Sequence, residues 1–282
     1  MTMKLACADF SFLHASHDLA LDIIAGLGLQ GVDIGLFPGV THFRHEHFLG
    51  SPAAAARGLA ARVHDRGLEF ADLFHQSGAD LVELTENHPD PQRRREAREL
   101  FARTLEFCVL LGCPHMTTLP GMRFEGESPE DSLNRSSEEL AWRCERAADA
   151  GVEYSVEAHM WSVAPSPELA ARLVAMTPGL KLTLDLGHYV AQGFGDDAID
   201  LLMPHASHFH ARCASRELLQ TGFETNAIPW RRVVQSMKAN GYRGYLGLEY
   251  VVTAHDCIET VDNLTETIRL RDELLRLAAE NE

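Results

Sequence analysis

Two rhythms of apolar residues alternate along this chain. Short, nearly continuous apolar runs fall near Met3–Ala8, Gly31–Phe37, Leu68–Phe74, His115–Leu119, Val152–Glu157, Lys181–Leu186, Ala206–Ala211 and Tyr245–Tyr250. A strand covered on both faces has no polar side to show, so such runs read as buried parallel strands. Between them, apolar positions recur at three- and four-residue steps in Asp18–Leu27, Pro52–Arg66, Pro91–Leu111, Pro129–Ala150, Pro167–Met176, Asp197–Met203, Pro229–Asn240 and Ile258–Ala279. That step is the signature of helices with one buried stripe.

Punctuation supports the division. Ser51-Pro52, Ser128-Pro129 and Ser166-Pro167 each set a capping hydroxyl before a proline suited to the first helical turn. Gly67, Gly112, Gly151 and Gly241 mark stops. Eight strands alternating with eight helices predict an α/β fold, a single-domain (β/α)8 TIM barrel over residues 1–282. An open doubly wound sheet is the rival, but no Gly-x-Gly-x-x-Gly follows an early strand. Two loops exceed structural need, Pro38–Gly50 and Arg212–Ile228, and are candidate walls or lids of a pocket.

Composition narrows the function. With 25 Lys and Arg against 41 Asp and Glu, the net charge of −16 would repel a phosphate backbone, so no nucleic acid is expected as partner. No run is long and apolar enough for a membrane span, and the N-terminus turns acidic at Asp9, too early for a signal peptide. The six cysteines are scattered without a Cys-x-x-Cys pair and read as small buried residues in a reducing compartment, which predicts a cytoplasmic protein.

Four residues carry the candidate chemistry. Glu157, Asp185, His210 and Glu249 close the apolar runs read as strands five to eight. In a parallel barrel those ends converge on one mouth. Three carboxylates and an imidazole gathered there would bind one divalent cation, Mn, Mg, Co or Zn, and the cation would compensate charges otherwise buried alone.

Those residues, read with Asp185-x-x-His188 and His210-x-Arg212, resemble the sugar phosphate isomerase/epimerase superfamily, the xylose isomerase-like barrels. Asn87-His88-Pro89-Asp90, Thr117-Thr-Leu-Pro120 and Ile228-Pro-Trp230 extend the resemblance over nearly the whole chain. It implies a metal held by Glu157, Asp185, His210 and Glu249, with Glu157 and Glu249 also acting as the catalytic acid/base pair. It further implies substrate contacts from His188 and Arg216 and a keto-sugar or related polyol isomerised or epimerised through a metal-stabilised enediolate. Arg212 is read as either a substrate fork or a neutraliser of the carboxylates, and His159 and His88 as pocket residues. Two departures stand out. Cys213 replaces the aspartate of the relatives' His-x-Lys-Asp, and Val163 falls where ketose 3-epimerases keep a glutamate. A metal-dependent lyase on a 3-keto-sugar, of dehydratase or C-glycoside-cleaving type, is an alternative. A non-catalytic, metal-stabilised binding barrel is another.

Other features stay with plainer readings. His42, His45 and His47 are expected to be partly exposed loop residues. His208 is either a donor behind the metal site or a satisfied core histidine. The apolar stripe of Ile258–Ala279 packs on the barrel or on another subunit, which leaves a homo-oligomer open.

Overall fold

The computed structural model describes residues 3–252 and 257–280. Eight strands form a closed, all-parallel barrel in sequence order: β1 (Lys4–Ala8), β2 (Gly31–Leu36), β3 (Glu69–His75), β4 (His115–Thr118), β5 (Glu153–Glu157), β6 (Lys181–Leu184), β7 (Ala206–Ala211) and β8 (Tyr245–Leu248). β1 closes the circle on β8 through Lys4 opposite Tyr245 and Cys7 opposite Leu248. The expected (β/α)8 barrel is therefore the fold.

The helices are α1 (His17–Gly26), α2 (Glu46–Leu49), α3 (Pro52–His64), α4 (Pro91–Leu111), α5 (Pro129–Asp149), α6 (Pro167–Met176), α7 (Gly187–Ala191), α8 (Asp197–Leu202), α9 (Trp230–Ala239) and α10 (Asn263–Ala279). The hydroxyls of Ser128 and Ser166 accept from the first-turn amides of α5 and α6 as expected, whereas Ser51 makes no capping bond to α3. The four predicted stop glycines all adopt positive φ, 64–73°. α10 starts five residues later than its apolar stripe suggests. Asp262 sets the start by accepting from the amides of Leu264 and Thr265, while Ile258 lies in a bridge to Gln220.

The interior is more polar than the strand sequences imply. Thr117 on β4 bonds Thr183 on β6 at 2.7 Å, and His115 on β4 reaches Asp72 on β3 at 2.6 Å and Ser207 on β7 at 2.9 Å. Asp33 on β2 spans the lumen to His208 Nε2 on β7 at 3.0 Å. All of these residues are buried. Gly247 on β8 makes that span fit, because a Cβ there would lie 1.9 Å from Asp33 Oδ2. Register shifts in the β2–β3 ladder at Val32/Asp33 and in the β6–β7 ladder at Leu182/Thr183 re-aim the strands beside this polar belt.

The two long loops are pinned. In Pro38–Gly50, Phe43 and Phe48 stack on Phe107 of α4 at 5.5 and 4.3 Å, and Thr41 bonds back to Phe37 and Phe43. That packing overturns the expectation of a partly exposed His45. It is buried, with Nε2 2.9 Å from His75 Nδ1, whereas His47 is exposed and half-buried His42 stacks on His17. In Arg212–Ile228, Gln220 ties to Val251 through both its amide groups and Thr221 bonds Glu259.

Candidate metal centre and active site

Each candidate ligand sits where its strand hands over to a loop. Glu157 ends β5, Asp185 and Glu249 immediately follow β6 and β8, and His210 lies one residue before the end of β7. All four are buried. His210 Nδ1 stands 2.7 Å from Glu157 Oε1 and 3.3 Å from Glu249 Oε2, so one imidazole nitrogen faces both glutamates. Asp185 splits its work. Oδ1 accepts from the amide of Gly187, the first residue of α7, at 2.8 Å, leaving Oδ2 to the mouth.

Arg212, just beyond β7, carries the compensating charge. Its buried Nη2 lies 2.7 Å from Asp185 Oδ2 and 2.8 Å from Glu249 Oε2. Both oxygens sit off the direction of its N–H bonds, so each keeps an unfilled hydrogen-bonding position despite the ion-pair distance. Arg212 thus neutralises the carboxylates around it.

The electrostatics push the acid groups apart. Burial would raise Glu157, but His210 beside it outweighs burial and holds its carboxyl down to about 2. For Glu249 burial prevails over Arg212 and His210, and the carboxyl is pushed up to about 7. Burial opposes protonation of His210, yet Glu249 and Glu157 overcome it and drive the imidazole up to about 10. Further out, burial and the neighbouring His188 depress His159 to about 3, and burial lowers His188 against the pull of Asp185 and Glu157. These two rings are neutral near pH 7.

A divalent cation fits this donor set. Glu157, His210 and Glu249 present ligand atoms within 4.8 Å of one another, and so do Glu157, Asp185 and His188, so Glu157 is common to both groups. In this set Asp185 Oδ2 and Glu249 Oε2 lack a hydrogen-bond donor among the described residues, and the ligand atoms are the hard oxygens and borderline nitrogen that such ions take. The Arg212 guanidinium rests on two of those oxygens, so a bound cation has to share or displace it.

Behind the ligands, Asp33, His208 and His210 form a third group of donor atoms within 4.8 Å. His210 Nε2 and Asp33 Oδ1 are both buried without a hydrogen-bond partner among the described residues. His208 is bonded to Asp33 and packs its ring 5.5 Å from His210. Sequence reading named His208 but missed Asp33, although a carboxylate inside the apolar run Gly31–Phe37 is itself a signal that a buried partner exists.

A cavity of about 380 Å³ opens above the ligands. Glu157, His159, His188, Arg212 and Glu249 line one side, and Phe37, Phe74, Leu81 and Leu119 line the other. No residue of Pro38–Gly50 lines it, while the strand-seven loop contributes Arg212 and Leu219. The structure does not bring Arg216 or His88 to this cavity. Arg216 is exposed beside the tight Ser215–Leu218 bridge and lines a separate cavity with Leu186, Tyr189 and Ile199. His88 sits before α4, where its Nδ1 accepts from the Asp90 amide and its ring meets Phe124 at 5.3 Å. Aromatic Phe74 was not singled out from sequence, yet its ring stands 4.8 Å from His210.

A family model described as xylose isomerase-like TIM barrel matches residues 21–273. A sequence search of curated proteins gave no significant match. Among solved structures, D-psicose 3-epimerase from Clostridium cellulolyticum H10, determined with D-tagatose, is similar at a TM-score of 0.73 and 16% identity, covering 99% of both chains. The probable 3-DHS dehydratase involved in petrobactin synthesis from Bacillus anthracis is similar at 0.70 and 14%, covering 96% of this chain and 99% of that one. The 3-keto-D-glucoside 4-epimerase from E. coli follows at 0.69 and 16%, covering 99% and 100%.

Proposed function

This chain belongs to the xylose isomerase-like TIM barrel family, and on that premise we propose that it is a divalent-metal-dependent isomerase or epimerase acting on a keto-sugar or related polyol. One observation carries the reading: two strand-end glutamates face the same imidazole nitrogen from 2.7 and 3.3 Å, at the mouth where barrel enzymes do their chemistry.

Glu157, Asp185, His210 and Glu249 would hold the metal, which supplies positive charge opposite the substrate oxygens where negative charge develops. The rest is the chain's own work. Glu157, at the end of β5 and facing the same imidazole nitrogen, is placed to accept a proton from the carbon beside the ketone. Glu249, which faces the same imidazole from β8, would return the proton from its own strand. His188 Nδ1 and His159 Nε2 are buried and unpartnered, and both rings line the cavity, so they orient substrate hydroxyls. Arg212 binds substrate oxygens or holds the carboxylates in place. Six unpaired cysteines fit a reducing cytoplasm.

The likeness to a probable dehydratase favours a second reading. A carbon acid deprotonated here can expel a β-substituent instead of regaining its proton. Manganese-loaded protein incubated with keto-sugars in D2O separates the outcomes. Isomerase or epimerase action places deuterium on carbon with the skeleton intact, and elimination releases a fragment. No deuterium uptake and no fragment from any keto-sugar, with metal bound, would remove both.

A further inference from the structure

A second cavity, of about 240 Å³, opens beside α7. Leu186, Tyr189 and Val190 line it at helical three- and four-residue steps, whereas His188 between them lines the mouth. Short α7 therefore stands between two cavities. Phe194 and Ile199 extend the apolar wall, and Arg216 and Asp196 are its charged members. Asp196 stands 3.5 Å from Arg232, but exposed Arg216 has no hydrogen-bond or ion-pair partner among the described residues. The turn that presents Arg216 is held in an uncommon shape. Glu217 has a φ of 70°, the single non-glycine residue at positive φ among the described residues, and its amide donates to Ala191 O at the end of α7 at 2.9 Å.

These features select a ligand. The volume falls below the roughly 300–1,000 Å³ of drug-sized sites, so the occupant is compact. The wall suits a hydrocarbon body, and a guanidinium fork with all its donors free matches a planar carboxylate. One cation with Asp196 in the same lining, on a chain of net charge −16, favours a monoanion over a phosphate dianion.

The same wall reaches the mouth. Asp185 Oδ1 accepts from the Gly187 amide at 2.8 Å, and Tyr189 OH donates at 3.2 Å to Ala158 O, the carbonyl between Glu157 and His159. A body packed on Leu186 and Tyr189 bears on the helix that places Asp185 and His188 and on the loop that places His159.

We propose that this cavity is an effector site for a compact aromatic or branched-alkyl carboxylate. The carboxylate lies on Arg216 and the hydrocarbon against Leu186, Tyr189 and Ile199, and occupancy changes metal affinity at the mouth through α7. The coupling rests on the metal reading above; the site does not.

Calorimetric titration of benzoate into the full chain, metal-free and manganese-loaded, tests both halves. Saturable binding is expected without metal, weakened about tenfold or more in Arg216→Ala and largely restored in Arg216→Lys. Inorganic phosphate, a charge without a body, and benzyl alcohol, a body without a charge, should each bind at least about tenfold more weakly than benzoate. Benzoate affinity should differ between the metal-free and manganese-loaded forms by about fivefold or more. No binding to the metal-free chain, or equal binding by Arg216→Ala, would overturn the site. Binding that requires manganese and survives Arg216→Ala would put the anion on the metal and overturn it too. Equal affinity in both forms, with manganese bound, would overturn the coupling. A chain that takes up no manganese yet binds benzoate through Arg216 would overturn the metal reading and the coupling with it, and leave the site standing.

Discussion

Strands β5–β8 end in Glu157, Asp185, His210 with Arg212, and Glu249, whereas the ends of β1–β4 bring Phe10, Phe37, Phe74 and Leu119 to the same rim. The backbone unit is repeated around the barrel, yet the cavity is lined by charged and imidazole groups on one arc and mostly by hydrocarbon on the other. Each arc affects the other. The ligand side chains are buried beside the apolar arc, so their ion pairs act through a lower effective dielectric and burial pushes Glu249 up to about 7. The charged arc uses His210 and Arg212 to keep three carboxylates tolerable beside phenyl rings.

Removing the base from the charged arc should break the contrast most severely. Glu249→Gln or Glu157→Gln keeps the size and an oxygen donor but not the base, and deuterium uptake should fall about 10²–10⁴-fold with metal still bound. Wild-type exchange by Glu249→Gln at saturating metal would discard the two-base scheme. Next comes the support behind the charged arc. Asp33→Asn should weaken metal affinity about 10–100-fold in calorimetric titrations, because Asp33 and His208 back His210, the proposed ligand. Unchanged affinity in a folded variant would reduce that belt to core packing.

Glu86, a buried carboxylate in the loop after β3, sharpens the comparison. Burial pushes Glu86 up to about 7 against the pull of Arg143, from an ordinary value of 4.5. A folded state that binds the proton more tightly has this stability in full below about pH 4.5 and loses it as pH rises through about 7. Glu86→Gln should therefore gain stability relative to wild type between pH 5 and pH 8, by about 1–3 kcal/mol in urea unfolding. A gain that is the same at both pH values would show that Glu86 does not titrate on folding. The smallest effect belongs to Arg216→Ala. It lines a different cavity, so metal affinity and turnover should change by less than about threefold. A tenfold rise in KM would place Arg216 in the mouth after all.

The charged arc was legible in the sequence and the apolar arc was not, for a physical reason. A carboxylate or imidazole closing an apolar run demands a partner, so Glu157, Asp185, His210 and Glu249 stand out. Phe37 and Phe74 end similar runs, and a phenyl ring looks the same in a sequence whether it faces a core or a cavity. Helices with a proline start were read to the residue at Pro91–Leu111 and Pro167–Met176, as was the strand Ala206–Ala211. The start of α10 was misplaced because apolar spacing runs through Ile258 without break, while the Asp262 cap decides the start. Arg216 was named through a family spacing, but the Ser215–Leu218 turn, with Glu217 at a φ of 70°, carries its neighbourhood away from the mouth. His45 needed knowledge of His75, thirty residues on.

Trp161 gives the charged arc an optical voice. Its indole stands 5.9 Å from His188, nearly perpendicular at 82°, and 6.1 Å from His159. The other two tryptophans are elsewhere: Trp142 lies among Arg98, Arg143 and Arg146, and Trp230 is buried at the start of α9. An excited indole is sensitive to the charge of a neighbouring imidazole, so metal loading or ligand entry that reorganises His159 and His188 should change one emission component while the other two stay constant. If the mouth takes up a metal and substrate as proposed, Trp161 would report its occupancy without label, coupled assay or chromogenic substrate.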